Sequence, residues 1–224
     1  MKLEILADNA DFNHDGIADQ LLIGTDPAFP GQYSLWGSQK GVDPKLGPFQ
    51  TDTLIGCVGD NMSIEVSAIG QRTVGDYDGD GVRDDFVLRD QNNGHVYVYS
   101  VDPVGYGRAW TGLETAYTTR ATDLGAIGLD WKIAGVGDFT HDGSTDLVTR
   151  RSAGDAFEYM LYNIDHGQVT GAHTLGAIGK EWKIEEPFDH NGDGTTDLAF
   201  YNESSGQHAV YHMQNGQVHD YLLY

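Results

Sequence analysis

The sequence predicts an all-β chain built from four similar units, each a small antiparallel sheet, and three observations predict it. A nine-residue phrase, D-x-[D/N/T]-x-D-G-x-x-D, occurs four times, at 11–19, 76–84, 138–146 and 189–197. A short apolar run follows each copy: Gln20-Leu21-Leu22-Ile23, Asp85-Phe86-Val87-Leu88, Leu147-Val148-Thr149 and Leu198-Ala199-Phe200-Tyr201. Runs this short, bounded by turn residues and rich in branched and aromatic side chains, read as strands. Thirty glycines in 224 residues supply the turns that many short strands need.

The phrase itself has the chemistry of a calcium loop. Ca²⁺ takes six to eight oxygens, and side-chain oxygens at alternate positions plus one backbone carbonyl can wrap around it. Gly16, Gly81, Gly143 and Gly194 stand at the sixth position, where a sharp turn requires positive φ. An EF-hand would place a bidentate Glu at position twelve and a helix on each side. Here the twelfth residues are Leu22, Val87, Thr149 and Phe200, none of which can bind the ion through a carboxylate. The loops are therefore expected between strands.

Spacing extends the repeat beyond the loops. The segment Leu124-Gly125-Ala126-Ile127-Gly128-Leu129-Asp130-Trp131-Lys132-Ile133 recurs as Leu175-Gly176-Ala177-Ile178-Gly179-Lys180-Glu181-Trp182-Lys183-Ile184, and His166-Gly167-Gln168-Val169 recurs as Asn215-Gly216-Gln217-Val218. In the third unit, turn signals separate runs at 131–136, 147–150, 157–162 and 168–174. About 50 residues carrying four antiparallel strands is the size of one propeller blade. In the second unit, runs at 72–74, 86–89 and 95–100 fit, with a looser fourth strand. The first unit is irregular, with Pro27, Pro30, Pro44 and Pro48 crowded into one stretch that reads as a long loop or an edge. The expected organisation is one domain of repeats at about 1–60, 61–120, 121–172 and 173–224.

Composition narrows the partners. A formal charge of −21 excludes a nucleic-acid surface, which needs the opposite sign, and also opposes an anionic membrane. The loops hold 13 of the 34 acidic residues, so four divalent ions would bring the charge from −21 to −13. No apolar stretch has the length of a membrane span, and the first residues do not form a signal peptide. Calcium loops suit surroundings rich in calcium, so an extracellular or cell-surface setting is expected. The lone Cys57 excludes an intrachain disulfide framework and is expected in the core.

Val74-Gly75-Asp76-Tyr77-Asp78-Gly79-Asp80-Gly81 and Val136-Gly137-Asp138-Phe139-Thr140-His141-Asp142-Gly143, with the strand after each, resemble the FG-GAP or VCBS-like repeats of integrin-α-type β-propellers. Some fungal and bacterial lectins and surface proteins carry these repeats. The resemblance is strongest over 121–224 and weakest over 25–66. It implies a β-propeller-like fold of four blade-like repeats, with a calcium loop between the first and second strands of each blade.

Position by position, the resemblance implies up to four Ca²⁺ ions. Asp11, Asn13, Asp15, Asp19 and the Ile17 carbonyl would hold the first. Asp76, Asp78, Asp80, Asp84 and the Val82 carbonyl would hold the second. The third would use Asp138, Thr140, Asp142, Asp146 and the Ser144 carbonyl, and the fourth Asp189, Asn191, Asp193, Asp197 and the Thr195 carbonyl. Ligand charge tunes affinity, so the all-aspartate second loop should bind most tightly and the threonine-bearing third most weakly.

Other features divide between packing and recognition. Trp131 and Trp182 occupy one repeat position and read as core, as do Trp36, Tyr99, Tyr162 and Tyr211. Trp110, with Arg108, stands in a glycine-rich stretch at 106–112 that is expected to be a loop, and is the candidate ligand contact. Before the fourth loop, Glu185-Glu186-Pro187-Phe188 replaces the small residues Ala134-Gly135-Val136-Gly137, which reads as an exposed edge. His208 and His212 would lie about 13 Å apart along a strand, too far to share zinc. No nucleophile elbow, phosphate loop or Cys–His signature appears.

The reading that follows is a non-catalytic, calcium-stabilised binding or adhesion module for a glycan or protein surface. Four blades are few for the family, so a second copy completing a larger ring is one expectation. A polysaccharide-acting enzyme or its accessory domain, and a structural calcium spacer, are the alternatives.

Overall fold

The computed structural model describes residues 3–10, 19–25, 32–39, 52–59, 61–64, 73–109 and 112–224, with side-chain surroundings for 61–63, 73–101 and 120–224. The described residues form seventeen strands and no helix. In the first sheet, β1 (Leu3–Ala10), β2 (Asp19–Thr25), β3 (Gln32–Gln39) and β4 (Asp52–Gly59) pair in chain order. In the second, β5 (Met62–Ile64) pairs with β7 (Asp85–Asp90), which pairs with β8 (His95–Ala109) and then β9 (Gly112–Ala126), while β6 (Val74–Gly75) also pairs with β7. The third runs β10 (Lys132–Gly137), β11 (Asp146–Ala153), β12 (Ala156–Asp165), β13 (Gln168–Gly179). The fourth runs β14 (Trp182–Ile184), β15 (Leu198–Asn202), β16 (His208–Gln214), β17 (Gln217–Leu223).

All these pairings are antiparallel, and apart from β5, which pairs with β7 past β6, each strand pairs with its neighbour in the chain, as short connections require. No closed barrel or ring of sheets is seen among the described residues. The repeated phrase at 124–133 straddles two sheets: Leu124 to Ala126 finish β9, and Lys132 begins β10. Leu175 to Gly179 likewise finish β13 before Trp182 opens β14. The second and third sheets therefore end several residues later than the expected repeat bounds at 120 and 172.

The core lies between consecutive sheets. One apolar layer joins Tyr77, Val87, Val96 and Val98 of the second sheet to Ile133, Val136, Leu147 and Ile164 of the third. The next joins Ala134, Phe139, Val148, Tyr159 and Leu161 of the third to Ile184, Leu198, Phe200, Ala209 and Met213 of the fourth. Adjacent strand residues point to opposite faces, so Leu147 serves one layer and Val148 the other. That is why Leu147 and Val148 are apolar in succession: both faces of β11 are covered there. Tyr159 and Phe200 lock the second layer edge to face, with ring centroids 5.6 Å apart.

Trp131 and Trp182 are half-buried and pack against these two layers, as do Tyr162 and Tyr211, in keeping with their packing role. The fourth sheet is also covered on its other face, because the cross-strand partners Ala199 and Val210 are buried yet stand outside that second layer. Its strand β17 is exposed along its length, and Phe188 is half exposed at the position where the two preceding sheets carry Gly75 and Gly137. The stretch 185–188 is thus an edge.

One expectation is corrected. The stretch 106–112 is largely strand: β8 runs through Ala109, β9 starts at Gly112, and Arg108 stands opposite Leu113. A register shift between Pro103 and Tyr106 accommodates the proline, which cannot donate to the ladder. Trp110 and the side chain of Arg108 lie outside the described residues, as do the four clustered prolines and the side chains of Cys57 and Trp36.

Candidate metal centres

Three of the four loops are described, and each joins two antiparallel strands of one sheet: 76–84 joins β6 to β7, while 138–146 (β10 to β11) and 189–197 (β14 to β15) join the first and second strands of their sheets. In the first loop, residues 11–18 lie outside the described residues, and Asp19 opens β2.

The leading aspartate organises each loop. Asp76 accepts the N–H of Gly79 at 2.8 Å and Asp80 at 3.1 Å on one oxygen, and that of Gly81 at 2.8 Å on the other. Asp138 takes the N–H groups of His141, Asp142 and Gly143 in the same way, and Asp189 those of Gly192, Asp193 and Gly194. Wrapping six residues around one carboxylate needs two left-handed residues, not one. The sixth-position glycines Gly81, Gly143 and Gly194 have φ near +90°, as expected, and position four is also left-handed: Gly79 (+79°), His141 (+61°) and Gly192 (+79°). The fifth-position aspartates Asp80, Asp142 and Asp193 each accept the N–H of position seven, from Val82, Ser144 and Thr195.

The closing aspartate is buried and bolts three segments together. Asp146 accepts the N–H of Phe139 at 2.9 Å and the Thr140 hydroxyl at 3.2 Å on one oxygen, and the N–H of Ile164 at 2.8 Å on the other. Asp197 does the same with His190 and Met213. In the second loop this place belongs to Asp85, which accepts the N–H groups of Tyr77, Asp78 and Val101. The second loop thus carries one extra residue, and its buried neighbour Asp84 stands at the ninth position of the sequence phrase. Asp85 is the residue that motif reading passed over; the Asp84-Asp85 doublet was its only signal.

Electrostatics fit a cation. Oxygens of Asp76, Asp78 and Asp85 all lie within 4.8 Å of one another, a span that one Ca²⁺ with ligands at 2.3–2.6 Å can bridge. Burial, reinforced by Asp78 and Asp84, pushes the Asp85 carboxyl up to about 8. Burial also lifts Asp146 to about 7 and raises Asp76, the latter with a contribution from Asp80. Carboxylates desolvated beside other carboxylates are costly unless a positive charge joins them. The oxygens that accept a single N–H, that of Asp76 facing Gly81 and that of Asp85 facing Val101, keep a second lone pair for metal coordination. Loops three and four each substitute a neutral oxygen, Thr140 or Asn191, for the third-position carboxylate, and among the described residues only the second loop gathers three close acidic ligands.

The loops also join one sheet to the next. The Thr145 N–H donates to the Asp76 carbonyl at 2.6 Å, the Asp76 N–H donates back to the Thr145 hydroxyl at 3.0 Å, and the Thr196 N–H donates to the Asp138 carbonyl at 2.8 Å. One position further on, the Gly167 N–H reaches the Tyr77 carbonyl and the Gly216 N–H reaches that of Phe139. Gly75 and Gly137 make this approach possible. A Cβ at Gly75 would stand 2.8 Å from Thr145 Cβ, and one at Gly137 2.9 Å from Thr196 Cβ.

The histidines serve other contacts. His208 sits 3.1 Å from Glu185, and His212 pairs with Asp220 while its ring lies 5.7 Å from that of His190. No family model matches the chain, and no curated protein matches it significantly.

Proposed function

We propose that this chain is a calcium-stabilised, non-catalytic binding module of propeller-like architecture that recognises a glycan or a protein surface outside the cell. The reading rests on one observation: three successive sheets carry the same loop, with the same carboxylate-centred hydrogen bonds, at the joint to a neighbouring sheet. An ion there would be held by Asp76, Asp78, Asp80 and Asp85 in the second loop, by Asp138, Thr140, Asp142 and Asp146 in the third, and by Asp189, Asn191, Asp193 and Asp197 in the fourth. The first would use Asp11, Asn13, Asp15 and Asp19. When bound, calcium supplies positive charge that relieves repulsion among these acids and stabilises the folded state by mass action.

Such ions act as rivets between sheets, which leaves recognition to other surfaces. A second copy of the chain completing a larger ring belongs to the same reading, with the exposed strand β17 and Phe188 as the surface it would use. Binding to a glycan array in calcium, lost with chelator and without product formation, is the expected result. New reducing ends or unsaturated products would instead indicate an enzyme, and an inert chain would indicate a spacer.

A further inference from the structure

A cleft of about 320 Å³ opens on the third sheet, lined by Asp130, Lys132, Arg150, Arg151, Ser152 and Phe157 among others. Cations are scarce in this chain, 13 against 34 acids, yet three of them line this one cleft and Lys180 stands beside it. The Arg150 guanidinium lies 4.2 Å over the Phe157 ring, and Lys180 approaches the same ring at 5.4 Å. Arg151 is occupied, with Glu158 at 2.7 Å, Asp130 at 3.8 Å and the Trp131 ring 4.9 Å away. Among the described residues no carboxylate pairs with Arg150 or Lys132.

Those two are direct cross-strand partners on β10 and β11, and so share one face of the sheet. Like charges placed opposite each other cost stability. The repeat does not require the pair: in the fourth sheet Lys183 faces Tyr201, and in the second Ser63 faces Arg89. The third sheet also lengthens its hairpin by the pairs Arg151↔Glu158, Ser152↔Phe157 and Ala153↔Ala156, whereas pairing in the fourth stops at Tyr201↔His208. The extension supplies Phe157, Arg151 and Ser152. An uncompensated cation pair in a polyanionic chain, backed by an aromatic ring and found in only one of the three sheets whose side chains are described, is what an anionic ligand needs.

We propose that this cleft binds the carboxylate of a uronic acid residue in an acidic glycan. The inference rests on the glycan-binding reading above and locates its site. Arg150, held flat by Phe157, offers a planar fork of donors to the carboxylate, and Lys132 adds a second charge. Asp130 and Ser152 supply the acceptor and hydroxyl that sugar hydroxyls require. An acidic peptide fits less well, since Asp130 and the surrounding negative charge would repel its successive carboxylates.

The test is calorimetric titration of the whole chain in calcium with three probes: a glucuronate-containing tetrasaccharide, its carboxyl-reduced neutral form, and a tetraglutamate peptide. The acidic tetrasaccharide should bind, and carboxyl reduction, Arg150→Gln or Lys132→Gln should each weaken binding about tenfold, the scale of one lost charge-assisted contact. Lys183→Gln should leave it unchanged. Lys132→Gln should hold or raise the melting temperature, because it relieves the like-charge pair; a lysine kept for the fold would lower it. Equal binding of the neutral form, indifference to both substitutions, or tighter binding of the peptide overturns the proposal. If other glycans bind an array while these variants bind as well as the parent chain, the site is wrong and the binding-module reading stands. If no glycan or protein binds at all, both fall.

Discussion

The Thr196 N–H donates to the carbonyl of Asp138 at 2.8 Å, and this bond ties the fourth sheet to the first residue of the third sheet's acidic loop. Thr145 makes the same bond to Asp76 one sheet earlier. The loops therefore join sheets through their backbones as well as gathering carboxylates, and loss of the loop's shape should loosen the stack.

Gly137→Ala tests that close approach directly. The added methyl has no space beside Thr196, so it should lower stability by about 1–3 kcal/mol, the usual cost of overpacking. Chemical denaturation measures it. An unchanged midpoint would mean that the two sheets do not meet as tightly as described.

Asp85→Asn and Asp84→Asn separate the two candidates for the closing residue of the second loop. An amide offers one acceptor oxygen where Asp85 uses two, so Asp85→Asn should cost about 1–3 kcal/mol for an unsatisfied buried N–H and should also remove one calcium from the count. Asp84→Asn should retain that ion. Equal metal content in the two variants would contradict the assignment of Asp85.

The pH dependence should change sign with calcium. Burial holds Asp85 up at about 8 and Asp146 at about 7, against 3.8 for both in the unfolded chain. Over that interval the ion-free folded state binds more protons than the unfolded one, so its stability is lost as pH rises and regained as pH falls. With calcium present, protons compete with the metal for the same oxygens, so stability falls with pH. Melting curves in chelator and in calcium, from about pH 8 to about pH 6, should slope in opposite directions. Parallel slopes would remove these carboxylates from the metal sites.

Much of this was legible in the sequence because the signals are local. The sixth-position glycines, the apolar runs after each loop and the turn-bounded hairpins all act within a few residues. What escaped depends on distant neighbours. Asp85 takes its role because the N–H groups of Tyr77 and Val101 converge on it, a convergence that motif spacing does not contain. His141 looks like any exposed loop residue, yet it adopts the left-handed conformation that glycine holds at the matching positions 79 and 192. Gly137 reads as a small residue that lets a neighbouring strand approach, but that Thr196 of the next sheet is what approaches it is not contained in the spacing. The Lys132–Arg150 pair needs the register of β10 on β11, which the sequence leaves open.

The most direct measurement is the melting temperature of the whole chain in excess calcium and in excess EDTA. Rivets at three or four loops predict a fall of many degrees on chelation, restored by calcium. A melting curve indifferent to EDTA would contradict the claim that these loops hold the sheets together through bound metal.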